Sequence, residues 1–210
     1  MKLELPTIYP ITDRAILGIP HSEQVRRLAG AGARFIQLRD KTMPSGELLY
    51  EAKNALEEAK KHNARLIIND RADIALLAGA DGVHLGQDDL SPKEARKLLG
   101  ENAIIGISTH SLEQASAAAD EPIDYIAIGP IFATETKSDT LPVVGLEGVR
   151  NVRSVIKNVP LVAIGGIQKI NVRDVIDAGA SSAAVISALA HPKDNIEKAF
   201  RDLLISISGK

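Results

Sequence analysis

Cysteine and tryptophan are absent from this sequence, and aromatic residues make up only 3% of it. The missing cysteines exclude disulfides, thiolate metal sites and a cysteine nucleophile. With so few aromatics, the core has to be built from Ile, Val, Leu and Ala, which suits β-branched strands packed under Ala-rich helices. No apolar run approaches the length of a membrane span, and the first residues, MKLELPTIYP, lack the apolar stretch of a signal peptide. A soluble cytoplasmic protein without membrane contact is the expectation. Neither sign of charge is in large excess. The formal net charge is −2, so no global field draws in nucleic acid. Affinity for phosphate has to come from a local cluster.

What is present is a regular alternation. The 210 residues suffice for one domain, 1–210, with a sizeable core. Apolar or β-rich runs at 7–12, 34–39, 65–69, 81–85, 104–108, 123–128, 161–164 and 183–186 are separated by segments of helical periodicity. A long helix opening at 42–45 carries Leu48, Leu49, Ala52, Ala55, Leu56 and Ala59 on one face. Ser22 is expected to cap the first helix, and 91–94 (SPKE) and 111–114 (SLEQ) to form capping boxes. Asn171 is expected to cap the penultimate helix. A helix at 145–157 should turn Leu146, Val149, Val152, Val155 and Ile156 inward. Strict alternation of strands and helices argues parallel strands joined by crossovers. Eight such units imply an α/β fold of one closed (β/α)8 TIM barrel. The alternative is a doubly wound open sheet, but no G-x-G-x-x-G follows the first strand.

In such barrels chemistry sits at the C-terminal ends of the strands. Gln37, Arg39 and Lys41 follow the second strand at alternate positions and share one side if the chain stays extended. The bland alternative is an ion pair of Arg39 or Lys41 with Asp40 or a helix carboxylate. Asn69 and Asp70 end the third strand, and Gln87, Asp88 and Asp89 follow the fourth. Carboxylates from adjacent loops beside a phosphate suggest Mg²⁺. Asp70 as a helix cap, and Asp88 or Asp89 as solvated loop residues, are the bland readings. His84, inside the fourth strand, is expected to be a packed, hydrogen-bonded core residue. Ser108 ends the fifth strand and either meets a ligand or caps a helix.

The loop at 128–137 (IGPIFATETK) brings Thr134, Thr136 and Lys137 within four positions, a donor-rich and positive loop suited to an anion. Gly165-Gly166 and Ile186-Ser187 end the last two strands, the recurrent phosphate-binding corner of this fold. Glycine lets backbone N–H groups approach an anion, and a helix N-terminus would add a favourable dipole. Two anion sites follow, one neutral and backbone-built, one mixing Arg39, Lys41 and Lys137 with Asp70 and Asp89. That pairing points to a transferase that expels diphosphate. Small-molecule substrates are the expected partners, and a homo-oligomer is allowed.

The motifs QLRDK (37–41), NDRAD (69–73), HLGQDD (84–89), GISTH (106–110), GPIFATETK (129–137), GGI (165–167) and ISA (186–188) together resemble the thiamine-phosphate synthase family. The resemblance implies a Mg²⁺-dependent transferase joining a hydroxymethylpyrimidine diphosphate to a thiazole phosphate carboxylate. Thiamine phosphate and diphosphate would be the products. Gln37, Arg39, Lys41 and Asn69 would hold the pyrimidine diphosphate, with Ser108 near the pyrimidine and Lys137 on the diphosphate. Asp70 and Asp89 would bind Mg²⁺. Thr134 and Thr136 would line the thiazole side, and Gly166, Ile186 and Ser187 would take its phosphate. Arg39, Lys137 and Ser108 would be catalytic. Ala133 departs from the family's usual proline, a change that should loosen the loop. A related thiazole tautomerase would need a base, typically His, after the sixth strand, where this chain has Gly129-Pro130. A non-catalytic phosphometabolite sensor would need no paired carboxylates.

On this reading Lys137→Ala loses on the order of a hundredfold or more in turnover while the fold survives. Wild-type turnover in a variant with an unchanged circular dichroism spectrum would remove Lys137 from the site.

Overall fold

The computed structural model describes residues 3–134, 142–190 and 195–208. Among them are strands β1 (Ile8–Thr12), β2 (Phe35–Leu38), β3 (Arg65–Asn69), β4 (Gly82–Leu85), β5 (Ile104–Thr109), β6 (Tyr125–Ile128), β7 (Leu161–Ile164) and β8 (Ser182–Val185). They close into one barrel in chain order, every neighbouring pair parallel, with β8 returning to β1 through Ile8 opposite Ala183. The helices are α1 (Arg14–Leu17), α2 (His21–Gly30), α3 (Ser45–Lys61), α4 (Ala72–Ala78), α5 (Pro92–Leu99), α6 (Leu112–Ala118), α7 (Gly145–Val155), α8 (Val172–Asp177) and α9 (Ile196–Ser208). The expected TIM barrel is the observed fold. No helix among the described residues is long and apolar enough to cross a membrane.

Strand side chains alternate between two buried layers, as period two demands. Ile36, Leu38, Leu66, Ile68, Ile105, Ile107, Ile126 and Ile128 pack outward under the helices. Tyr9, Ile11, Phe35, Ile67, Ile104, Tyr125, Val162 and Ala184 fill the interior. Half of the six aromatics are spent here: the Tyr9, Phe35 and Tyr125 rings meet edge to face at centroid distances of 4.8 to 6.1 Å.

Several local expectations need correction. Short α1 was not anticipated; Asp13 caps it by accepting the Ile16 N–H at 3.1 Å. Ser22 caps nothing, because α2 starts one residue earlier and the Ser22 N–H and hydroxyl both reach Glu51, at 3.1 and 3.3 Å. Ser91 and Glu94 form the full reciprocal box. Ser111 accepts from Gln114 N, but the Gln114 side chain takes the His110 N–H instead of completing a box. Asn171 precedes α8 without a side-chain cap bond, since its Oδ1 accepts from Gln168 N at 2.7 Å. On α7, Val149, Val152 and Ile156 are buried as expected, whereas Val155 faces out at 39% exposure.

Gly106 on β5 makes the interior packing possible. It pairs with His84 on one side and Tyr125 on the other, and a Cβ there would stand 2.1 Å from the Tyr125 Cζ. Gly106→Ala is therefore expected to destabilise by about 1–3 kcal/mol, the usual range for overpacking a filled core. Urea denaturation checks this, and a stability equal to that of the unaltered chain would show that the Tyr125 ring moves aside at no cost.

Candidate active site

The interior alternation carries polar residues to the mouth. Gln37 lies two residues beyond Phe35, Asn69 two beyond Ile67, and Ser108 four beyond Ile104, so all three share the inward face. Gln37 is buried and donates from Nε2 to the Tyr9 hydroxyl at 2.9 Å. Asn69 Nδ2 is buried without a hydrogen-bond partner among the described residues, a donor that a ligand oxygen would satisfy. His84 is the hydrogen-bonded interior residue expected of it, with Nδ1 2.9 Å from the Tyr125 hydroxyl and Nε2 2.9 Å from Ser108 Oγ. Ser108 caps no helix; Ser111 does that.

The charged side of the mouth is built by loops, not by a continued strand. β2 stops at Leu38. Beyond it, the Asp40 carboxylate accepts from Thr42 N and Met43 N at 2.9 and 2.8 Å and curls the chain. Burial would push Asp40 upward, but these donors and His21 hold its carboxyl down at about 2. His21, fully buried, bridges Asp40 Oδ2 at 3.1 Å and Thr12 Oγ1 at 2.7 Å. Extended geometry therefore does not run through Lys41, and the two cations part. Arg39 pairs with Asp13 at 2.5 Å, both side chains nearly buried. The bland ion pair is thus formed, with the carboxylate that caps α1 and not with Asp40. Lys41 reaches across to Asp70 Oδ2 at 3.1 Å.

Asp70 stands in the left-handed region at φ 59, a conformation that Asp tolerates better than most residues. Its N–H donates to the His84 carbonyl at 2.8 Å. It is not the cap of α4, whose N-cap is Arg71. Asp89 folds back on its own loop, accepting from Gly86 N at 2.7 Å. Desolvation by the surrounding loops raises the Asp89 carboxyl, and the neighbouring Asp70 raises it further against the pull of Gly86 N–H and Lys41. Two like charges facing each other with oxygen-only donors fit a hard divalent cation. Among the described residues no group of three or more His, Cys, Asp or Glu gathers. Mg²⁺ tolerates this, because one or two carboxylates suffice where phosphate and water complete the shell.

The opposite side of the mouth is a cavity whose walls include Ser108, His110, Thr134, Gly166, Ile186 and Ser187. Its floor depends on glycine. Gly165 and Gly166 have φ of 106° and 63°, and a Cβ on Gly166 would stand 2.6 Å from the Ala133 carbonyl oxygen. Ile131 and Phe132 donate to the Ile164 and Gly165 carbonyls at 2.9 and 3.0 Å. Those bonds tie the sixth loop down just before Ala133. After β8 comes only a four-residue 3₁₀ turn, Ser187–Ala190. Thr136 and Lys137 lie outside the described residues.

A family model described as thiamine monophosphate synthase matches residues 8–189. The chain belongs to that family. It is thus a transferase of thiamine biosynthesis. The thiamine-phosphate synthase of Koribacter versatilis is 45% identical over 192 residues, covering 89% of this chain and 90% of its own. That of Albidiferax ferrireducens is 42% identical over 202 residues, covering 96% and 92%. The solved thiamine phosphate pyrophosphorylase from Pyrococcus furiosus superposes with a TM-score of 0.87 at 37% identity, covering 96% of this chain and 95% of that one.

For a member of the thiamine monophosphate synthase family, sequence reasoning passed over Asp13, His21, Tyr9 and Tyr125. Asp13 directly follows the TIYPIT run, so inspection of the first strand's end would have found it. The tyrosines and His21 give no local signal, because their partners are distant in the chain. If Asp70 and Asp89 hold Mg²⁺, Asp89→Asn would remove one of the two carboxylates on it. It is expected to shift the Mg²⁺ titration of activity upward by about tenfold or more, and an unchanged titration would return Asp89 to the role of a solvated loop residue.

Proposed function

We propose that the chain condenses 4-amino-2-methyl-5-(diphosphooxymethyl)pyrimidine with the thiazole phosphate carboxylate, giving thiamine phosphate and diphosphate. The observation that carries this is the pairing of two unlike anion sites at one mouth. Arg39, Lys41, Asp70 and Asp89 gather on one side, and the Gly165–Gly166 and Ser187 cavity lies on the other. Gln37, Asn69 and Ser108 stand between them.

In this reading Asp70 and Asp89 hold Mg²⁺, which supplies charge stabilisation for the departing diphosphate. Arg39, Lys41 and Lys137 add positive charge on the same group. Asn69 offers its unsatisfied Nδ2–H₂ to the pyrimidine diphosphate, and Gln37 orients the ring. Gly166, Ile186 and Ser187 take the thiazole phosphate, and Thr134 and Thr136 line its ring. The protein contributes no nucleophile. As the resemblance implies, the bond to diphosphate breaks ahead of attack by the thiazole nitrogen, so alignment of two substrates and stabilisation of the leaving group suffice. Ile164 and Pro130 add apolar surface to the cavity wall.

One observation favours a second reading. His110 lines the cavity, and its Nδ1 lies 2.7 Å from the Gly129 carbonyl, which only accepts. Nδ1 therefore donates, which leaves Nε2 as the ring position that a thiazole tautomerase would use.

A diphosphate-release assay separates the two. Release that requires both substrates and is abolished by EDTA is expected. Isomerisation of the thiazole alone, without diphosphate release, would establish the tautomerase instead.

A further inference from the structure

A chain of hydrogen bonds crosses the barrel interior beneath the mouth. Gln37 Nε2 lies 2.9 Å from Tyr9 Oη, and Tyr9 Oη lies 3.1 Å from Tyr125 Oη. Tyr125 Oη lies 2.9 Å from His84 Nδ1, and His84 Nε2 lies 2.9 Å from Ser108 Oγ. Tyr9, Tyr125, Gln37 and His84 are all buried, whereas Ser108 opens on the cavity. The sequence shows none of this, since the members come from five different strands.

The chain has a direction. An amide nitrogen only donates, and each phenol has a single proton. Gln37 gives a proton to the Tyr9 oxygen, so Tyr9 turns its own proton to Tyr125. Tyr125 accepts it and directs its proton to His84 Nδ1. Burial raises both phenols far above their ordinary value, and Tyr9 raises Tyr125 further. Both protons are therefore in place. With Nδ1 accepting, the proton of the neutral imidazole sits on Nε2 and goes to Ser108 Oγ. Ser108, having accepted, keeps its own proton to give.

We infer that His84 is a positioning residue that makes Ser108 a hydrogen-bond donor into the cavity. Ser108 then selects a ligand atom that accepts, a ring nitrogen or an anionic oxygen. It favours such an atom over an N–H at that place, which Ser108 Oγ could meet only with its remaining lone pair, leaving its own proton unused. Tyr9 and Tyr125 set this polarity without needing to touch the ligand.

Nitrogen-15 NMR of the full chain labelled at histidine reports which ring nitrogen bears the proton. His84 protonated on Nε2 alone is the expected result. Protonation on Nδ1, or on both nitrogens, overturns the inference, and this readout needs no variant. A double-mutant cycle gives the kinetic arm, which rests on the diphosphate-releasing reaction proposed above. Tyr125→Phe is expected to lower kcat by about tenfold, the worth of one directed hydrogen bond. In a Ser108→Ala background the same change should cost almost nothing, because Tyr125 acts through Ser108. Losses that add in the double variant would overturn the positioning role. A correct tautomer in a chain that releases no diphosphate would count against the reaction and leave the proton ordering standing.

Discussion

Closing eight parallel strands removes every unpaired sheet edge, and closure dictates what reaches the mouth. Once β8 returns to β1, every second side chain of every strand must point into one narrow space. Volume there is limited, so the interior tolerates large rings only where a neighbour gives way. Gly106 gives way to Tyr125, and Tyr125 in turn stacks on His84 at a centroid distance of 5.4 Å. That stack hands a hydrogen bond to Ser108. A missing side chain on β5 thus determines where a hydroxyl on the same strand can find a partner.

The same alternation explains what was legible in advance. Strand positions such as 65–69 and the face of α3 announced themselves, because a buried parallel strand is a short apolar run and a covering helix repeats near 3.6. Gln37, Asn69, Asp70, Asp89 and Ser108 stood out as polar residues at strand ends, where a fully buried sheet has no other use for them. Partners were not legible. Arg39 pairs with Asp13, 26 residues away, and Tyr125 with Tyr9, 116 residues away. Sequence spacing carries no trace of such pairs. Capping fared likewise: Ser91 kept its box because every bond was local, whereas the Ser22 N–H and hydroxyl went to Glu51 on the neighbouring helix.

The electrostatics of the mouth follow from the near-neutral whole. With a formal net charge of −2, the chain cannot hold phosphate by its general field. It concentrates opposite charges instead. Asp13 holds Arg39, and Asp70 meets both Lys41 and Asp89. Pairing Arg39 with Asp13 in a nearly buried setting fixes the guanidinium in place, and it also removes much of its net charge. Lys41 is exposed and paired only at the solvent edge, so it is the more adaptable cation. A leaving anion of high charge would be met by both kinds, one buried in its pair and one exposed.

Across the mouth the chemistry changes from charge to backbone. At Gly166 the space a side chain would occupy is taken by the Ala133 carbonyl and the Phe132 Cβ. Among the described residues no lysine or arginine lines that wall. A dianion there would be held by N–H groups and hydroxyls, an arrangement that binds phosphate without competing for a divalent cation. The division matters because a metal recruited to the second phosphate would weaken the site beside the leaving group. Among the described residues the cavity wall carries no carboxylate and no lysine or arginine, so it is the charged half that offers the oxygen ligands a hard cation requires. The uncharged interior chain that ends at Ser108 runs between the halves. It adds direction at the centre of the mouth without adding charge to either side.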